Sequence, residues 1–148
     1  MILICGTPNA GKTTYSKQFD NVVHRDELSS KQRRHIAQTI SEDNSICLEG
    51  VYSKAKHRIP LTRACQGKKI CIWLNVDVDI CVQREINGRN RSVRMVEWTA
   101  KEFEPPTLSE GWDEIHIVKN NDFEHEIIIR PLRGGDPDED AHYSSTER

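Results

Sequence analysis

Short apolar runs alternate along the chain with longer stretches whose apolar positions recur at helical spacing. The runs predict strands at Met1–Cys5, Asn21–His24, Ser45–Leu48, Ile70–Val76 and Ile115–Val118. The stretches between them predict helices at Lys12–Gln18, Glu27–Ser41, Ser53–Cys65, Asp79–Asn87 and Val93–Phe103, in the order βαβαβαβααβ. Strands joined through helices return to the same end of a sheet, so the pattern predicts an α/β sandwich with a parallel five-stranded sheet and right-handed crossovers. Past Lys119 the pattern weakens. Glu126–Leu132 predicts an edge strand, and RGGDPDEDAHYSSTER at 133–148 predicts a mobile tail, with five acidic residues against two arginines and almost no apolar content.

The 148 residues suit one domain, expected over residues 1–132. Lys and Arg number 21 against 23 Asp and Glu, a formal charge of -2, which excludes a globally basic nucleic-acid binder and makes any such contact local. No apolar run approaches the roughly 20 residues that span a bilayer, and MILICG leads straight into a glycine-rich motif, so a soluble, cytoplasmic protein is expected. Of the five cysteines, Cys5, Cys47 and Cys71 fall in apolar stretches, while Cys65 and Cys81 have no CxxC partner. They read as small buried hydrophobes rather than as zinc or redox groups.

The chemistry begins at residues 6–13. GTPNAGKT fits GxxxxGK[ST] directly after a predicted strand and directly before a predicted helix. A tight loop of Gly6, Thr7, Pro8, Asn9, Ala10 and Gly11 exposes successive N–H groups, Lys12 reaches the β- and γ-phosphates, Thr13 offers a hydroxyl to Mg²⁺, and Thr14 adjoins it. The expected ligands are ATP and Mg²⁺. The fold class expected is therefore α/β, a P-loop NTPase three-layer sandwich with a parallel five-stranded sheet and a helical lid.

In such sheets the carboxyl ends of neighbouring strands open onto the γ-phosphate. Asp26 follows VVH and Glu49 follows SICL. Asp26 reads either as the base for an attacking hydroxyl or as the cap of the helix predicted from Glu27. Glu49 reads either as the holder of a magnesium-bound water or as an ordinary strand end. Arg84, Arg89, Arg91 and Arg94 crowd into one short stretch after KICIWLNV. That is either a solvated helix face or a lid, at about residues 84–104, that closes arginines over the transferring phosphate.

Four pieces together resemble the P-loop 5′-hydroxyl polynucleotide kinases, the phage-type enzymes and the kinase domains of end-healing enzymes. They are GTPNAGKTT at 6–14, HRDE at 24–27, VDVDICVQREINGRNR at 76–91 and FEPPTLSEGWDEIHI at 103–117, an order that spans nearly all of residues 1–118. The resemblance implies that Lys12 and Thr13 engage ATP and Mg²⁺, that Asp26 is the general base, and that Arg84 with Arg89 or Arg91 binds phosphates. Glu49 stands where phage enzymes have aspartate. Ser29 stands where those enzymes often carry an arginine for the nucleic-acid phosphate, so that contact is expected from Arg25, Lys31, Arg33 or Arg34, unless the KQRR run is simply an exposed helix face. The implied acceptor is the 5′-OH of single-stranded or nicked RNA or DNA. A kinase of a nucleoside or other small metabolite and a nucleotide-dependent RNA-binding switch are the competing readings. Trp73, Trp98, Phe103 and Trp112 are either base-stacking platforms or core.

Overall fold

A computed structural model describes residues 1–89, 92–119, 124–130 and 141–146. In chain order these form β1 (Ile2–Gly6), α1 (Lys12–Ser16), β2 (Val22–His24), α2 (Ser30–Arg34), α3 (Ile36–Glu42), β3 (Cys47–Gly50) and α4 (Ala55–Ala64). There follow β4 (Ile70–Asn75), α5 (Val78–Arg84), a π turn (Glu85–Arg89), α6 (Val93–Glu102), β5 (Glu114–Lys119), β6 (Glu124–Ile129) and β7 (Ala141–Thr146). Single 3₁₀ turns sit at Arg25–Glu27 and Leu108–Glu110.

The strands form one sheet in the order β2-β3-β1-β4-β5-β6-β7. The first five are parallel, as expected, and β6 and β7 add on antiparallel beyond β5. β1 lies in the middle of the parallel part and is buried on both faces, which explains why ILIC reads as a continuous apolar run. Its alternation divides the core in two. Leu3 and Cys5 pack with Ile36, Ile40, Leu48, Leu61 and Trp112 on the side of α3 and α4. Ile4 packs with Ile72, Leu74, Cys81 and Val96 on the side of α5 and α6. The result is the three-layer α/β sandwich. Among the described residues no helix is long and apolar enough to cross a membrane.

Three expectations are corrected. The single helix expected at Glu27–Ser41 is a 3₁₀ turn followed by α2 and α3. Ser29 restarts the chain there with a capping box: its hydroxyl accepts the Gln32 N–H at 3.2 Å, and Gln32 Oε1 accepts the Ser29 N–H at 2.8 Å. His35, at φ -103° and ψ 7°, then separates α2 from α3. The expected edge strand exists as β6 but is not the edge, because β7 pairs outside it from Glu124↔Thr146 to Ile129↔Ala141. That pairing also corrects the tail at residues 141–146, where backbone hydrogen bonding makes a strand that needs no apolar pattern. The rest of that expected tail, at 133–140 and 147–148, lies outside the described residues.

All five cysteines are free and buried, in keeping with their reading as small core residues. Cys5 and Cys71 approach with Sγ atoms 3.7 Å apart, and burial pushes the Cys71 thiol well above its ordinary range. Burial likewise pushes Cys47 up to about 11. Trp112 is fully buried, Trp73 stacks on Phe103 with ring centroids 5.8 Å apart, and Trp98 is exposed.

Candidate active site

The loop between β1 and α1 closes on itself. Lys12 Nζ donates to the Thr7 carbonyl at 2.9 Å, which also accepts the Ala10 N–H at 3.1 Å. Gly11 sits at φ 93°, a left-handed conformation that a side chain would strain, and Asn9 adopts φ 69° nearby. Lys12 is only 8% exposed. Burial pulls its ammonium below the ordinary lysine value, while the charges of Glu49 and Asp26 oppose that pull. The two acids singled out from the sequence thus lie within electrostatic range of the loop lysine. Thr13 and Thr14 are exposed at the start of α1, which is two residues shorter than expected.

Glu49 lies near the end of β3 beside β1, in register with Ile4 on one side and His24 on the other. It is buried, and its Oε2 meets His24 Nδ1 at 3.2 Å. Asp26 sits on the 3₁₀ turn that follows β2, exposed, and accepts no hydrogen bond from a described residue. Ser29 is the cap of the next helix, so capping does not explain Asp26.

Arg84 at the end of α5 and Glu85 at the start of the π turn reach the loop between β1 and α1. Arg84 Nη1 donates to the Asn9 carbonyl at 2.7 Å. The Asn9 side-chain amide donates to Glu85 Oε2 at 2.8 Å and to the Cys81 carbonyl at 3.2 Å. Glu85 is 4% exposed, and its Oε1 accepts the Ser92 N–H at 3.3 Å just before α6. The loop tip and the α5–α6 hairpin are therefore tied together through Asn9. Arg89 closes the π turn, with its side chain outside the described set, and Arg91 lies outside the described residues altogether. Arg94 is exposed on α6.

Next to Asp26 in the chain, Arg25 lies over the Tyr52 ring at 5.7 Å, and Arg33 Nε donates to the Arg25 carbonyl at 3.3 Å. Arg34 and Lys31 are exposed on the same short helix, α2. The structure thus gathers Lys12, Asp26, Glu49 and Arg84 around the loop, and Arg25, Arg33 and Arg34 around a neighbouring hollow. Sequence reading missed His24, Tyr52 and Glu85. Only the place of Glu85 next to Arg84 offered a signal: His24 meets Glu49 from 25 positions away, Glu85 meets Asn9 from 76 positions away, and Tyr52 stands out by a hydroxyl that no described residue satisfies.

The donor set suits a cation held chiefly by phosphates and water. Thr13 supplies an exposed hydroxyl and Glu49 a buried carboxylate near Lys12, and no cluster of three or more His, Cys, Asp or Glu side chains forms a protein cage among the described residues.

No protein-family model matches the chain, and no curated protein matches it. Solved structures do. A sugar kinase from Janibacter sp. HTCC2649 superposes with a TM-score of 0.62 at 12% identity, covering 81% of this chain and 84% of that one. A gluconokinase from Sinorhizobium meliloti 1021 superposes with a TM-score of 0.57 at 12% identity, covering 80% and 79%. The chain has the α/β fold of these kinases.

Proposed function

We propose that the protein is an ATP-dependent phosphotransferase acting on a hydroxyl group. The observation that carries this reading is the position of Asp26: an exposed carboxylate, relieved of capping by Ser29, at the carboxyl end of a strand and within electrostatic range of Lys12. In the reaction the acceptor oxygen bonds to the γ-phosphorus, the bond from phosphorus to the β,γ-bridging oxygen breaks, ADP leaves, and Asp26 takes the hydroxyl proton. Lys12 and the loop N–H groups hold the phosphates. Thr13 and Glu49 would hold Mg²⁺, which neutralises phosphate charge when bound. Arg84, with Arg89 or Arg91, binds phosphate oxygens and offsets the charge of the transferring group.

Two acceptor classes fit this arrangement. The HRDE turn and the neighbouring Arg25, Arg33 and Arg34 favour the 5′-OH end of RNA or DNA. The sugar kinase and gluconokinase folds favour a small hydroxylated metabolite. The test offers γ-labelled ATP to 5′-OH oligonucleotides, nucleosides, sugars and sugar acids side by side. One labelled class is expected, and Lys12→Ala should remove the label by at least roughly a hundredfold. ATP consumed with no labelled acceptor would replace the kinase reading with a nucleotide-dependent switch.

A further inference from the structure

A hollow of about 450 Å³ opens between α3, the start of α4 and the residues after β3. Arg25, Arg33, Arg34, Lys56 and His57 line it, and no carboxylate does so among the described residues. Such a wall repels itself. Burial, and after it Lys56, Arg25 and Arg58, pulls the His57 imidazole below its ordinary value against the opposing charge of Glu104.

Tyr52 lines the same hollow. It is 7% exposed, and its hydroxyl has no hydrogen-bond partner among the described residues. A buried polar group left in this way costs free energy unless something else meets it. Two contacts hold Tyr52 in place despite that cost and despite a strained backbone at φ 40°: its carbonyl accepts the Arg58 Nη1 hydrogen at 2.7 Å, and its ring fills the space where a Cβ on Gly50 would stand 2.7 Å from Cε2. Strain maintained by its surroundings is a common property of ligand sites. Burial raises the phenol above its ordinary range even though Arg25 and Arg33 oppose it, so the hydroxyl keeps its proton and acts as a donor. A donor without an acceptor, inside a ring of cations, calls for an oxyanion.

Resting on the phosphotransferase reading, we infer that this hollow anchors the acceptor: it takes a phosphate or carboxylate that the acceptor carries apart from the reacting hydroxyl. Arg25, Arg33 and Lys56 neutralise the group, and Tyr52 donates to it once the side chains over its hydroxyl shift. The volume suits one sugar-sized unit. Arg25 adjoins Asp26 in sequence, so the anchored group and the hydroxyl being deprotonated are held side by side.

Two sources can supply the anion: a sugar phosphate or sugar acid, and the backbone phosphate of a nucleic-acid end. Calorimetry on the full chain, saturated with a non-hydrolysable ATP analogue to fill the phosphate loop, tests both. The probes are ribose, ribose 5-phosphate, gluconate and a short 5′-OH oligonucleotide. At least one anionic probe should bind roughly tenfold or more tightly than ribose, and whichever binds tightest identifies the source. Tyr52→Phe and Lys56→Gln should each weaken it about five- to tenfold, with affinity for the analogue unchanged. The melting temperature of Tyr52→Phe should be unchanged or raised, because the variant loses an unpaired hydroxyl. Equal binding of ribose and every anionic probe, or undiminished binding by a folded Tyr52→Phe variant, overturns the inference. Since binding is read without turnover, anion binding without transfer to any acceptor would instead refute the phosphotransferase reading and leave the anchoring site standing.

Discussion

Arg58 and Arg84 carry the same side chain and put it to opposite uses. Arg58 is fully buried and directs its guanidinium to both oxygens of Glu110, at 2.8 and 3.0 Å, and to the carbonyls of Tyr52 and Glu104. Arg84 is exposed and, among the described residues, donates to one carbonyl, that of Asn9. The acids repeat the contrast. Glu110 also accepts from Trp112 Nε1 at 3.1 Å and from the Thr107 N–H at 3.1 Å, whereas Asp26 accepts from no described residue. Charges whose polar atoms each find a partner within the protein hold α4 against the 104–112 segment. Charges with capacity left over lie around the loop between β1 and α1, where the proposed nucleotide can use it.

The strongest way to break the comparison is Arg58→Met. It strands Glu110 as a buried, uncompensated charge and should cost about 3–5 kcal/mol, read as a fall of roughly 10 °C or more in melting temperature. Adding Glu110→Leu should return only part of that loss, because it removes the stranded charge but leaves Trp112 Nε1, the Thr107 N–H and the Tyr52 and Glu104 carbonyls without these partners. An Arg58→Met variant as stable as the parent would mean that the pair contributes nothing to the fold.

Asp26→Asn should do the reverse. Melting should stay put while transfer to the acceptor falls by roughly 10²–10⁴-fold, with ATP affinity intact. Asparagine caps helices as well as aspartate does, and Ser29 already fills that post, so unchanged turnover would remove Asp26 from the chemistry. The smallest effect is expected of Arg84→Ala. Steady-state kinetics should show a rise in KM for ATP or a fall in kcat of roughly tenfold, the value of one charge-assisted contact, with little change in stability. A large loss of stability without a kinetic effect would place Arg84 beside Arg58 as a structural cation.

The exposed half of this comparison was readable from sequence. GTPNAGKT, Asp26 and Arg84 are local signals: a spacing, a strand end and a charged stretch. So were the five parallel strands, because each is a short apolar run. The buried half was not. Arg58 and Glu110 lie 52 positions apart, and a charged residue in a helix reads as solvent-facing until the fold brings its partner to it. His24 and Glu49 meet through strand register, and Tyr52 matters through a hydroxyl that no described residue satisfies, which no pattern records. The break at Ser29 was legible in principle, since Ser-x-x-Gln is a capping signal, but the apolar spacing across it suggested one longer helix. β7 carries no alternation at all, since AHYSST is recruited by backbone pairing.

β7 also decides what the sheet shows to other molecules. Without it, β6 would be the outermost strand, and its EHEIII sequence would present unpaired N–H and C=O groups beside three consecutive isoleucines. Such an edge is a template for strand addition by a second chain, and hence for aggregation. With β7 in place the outermost strand is instead the polar AHYSST. The far side of the sheet from β2 and its acidic turn therefore bears on solubility rather than on the proposed chemistry: a chain cut after Arg130 would keep every residue of the loop between β1 and α1 and lose the strand that covers β6.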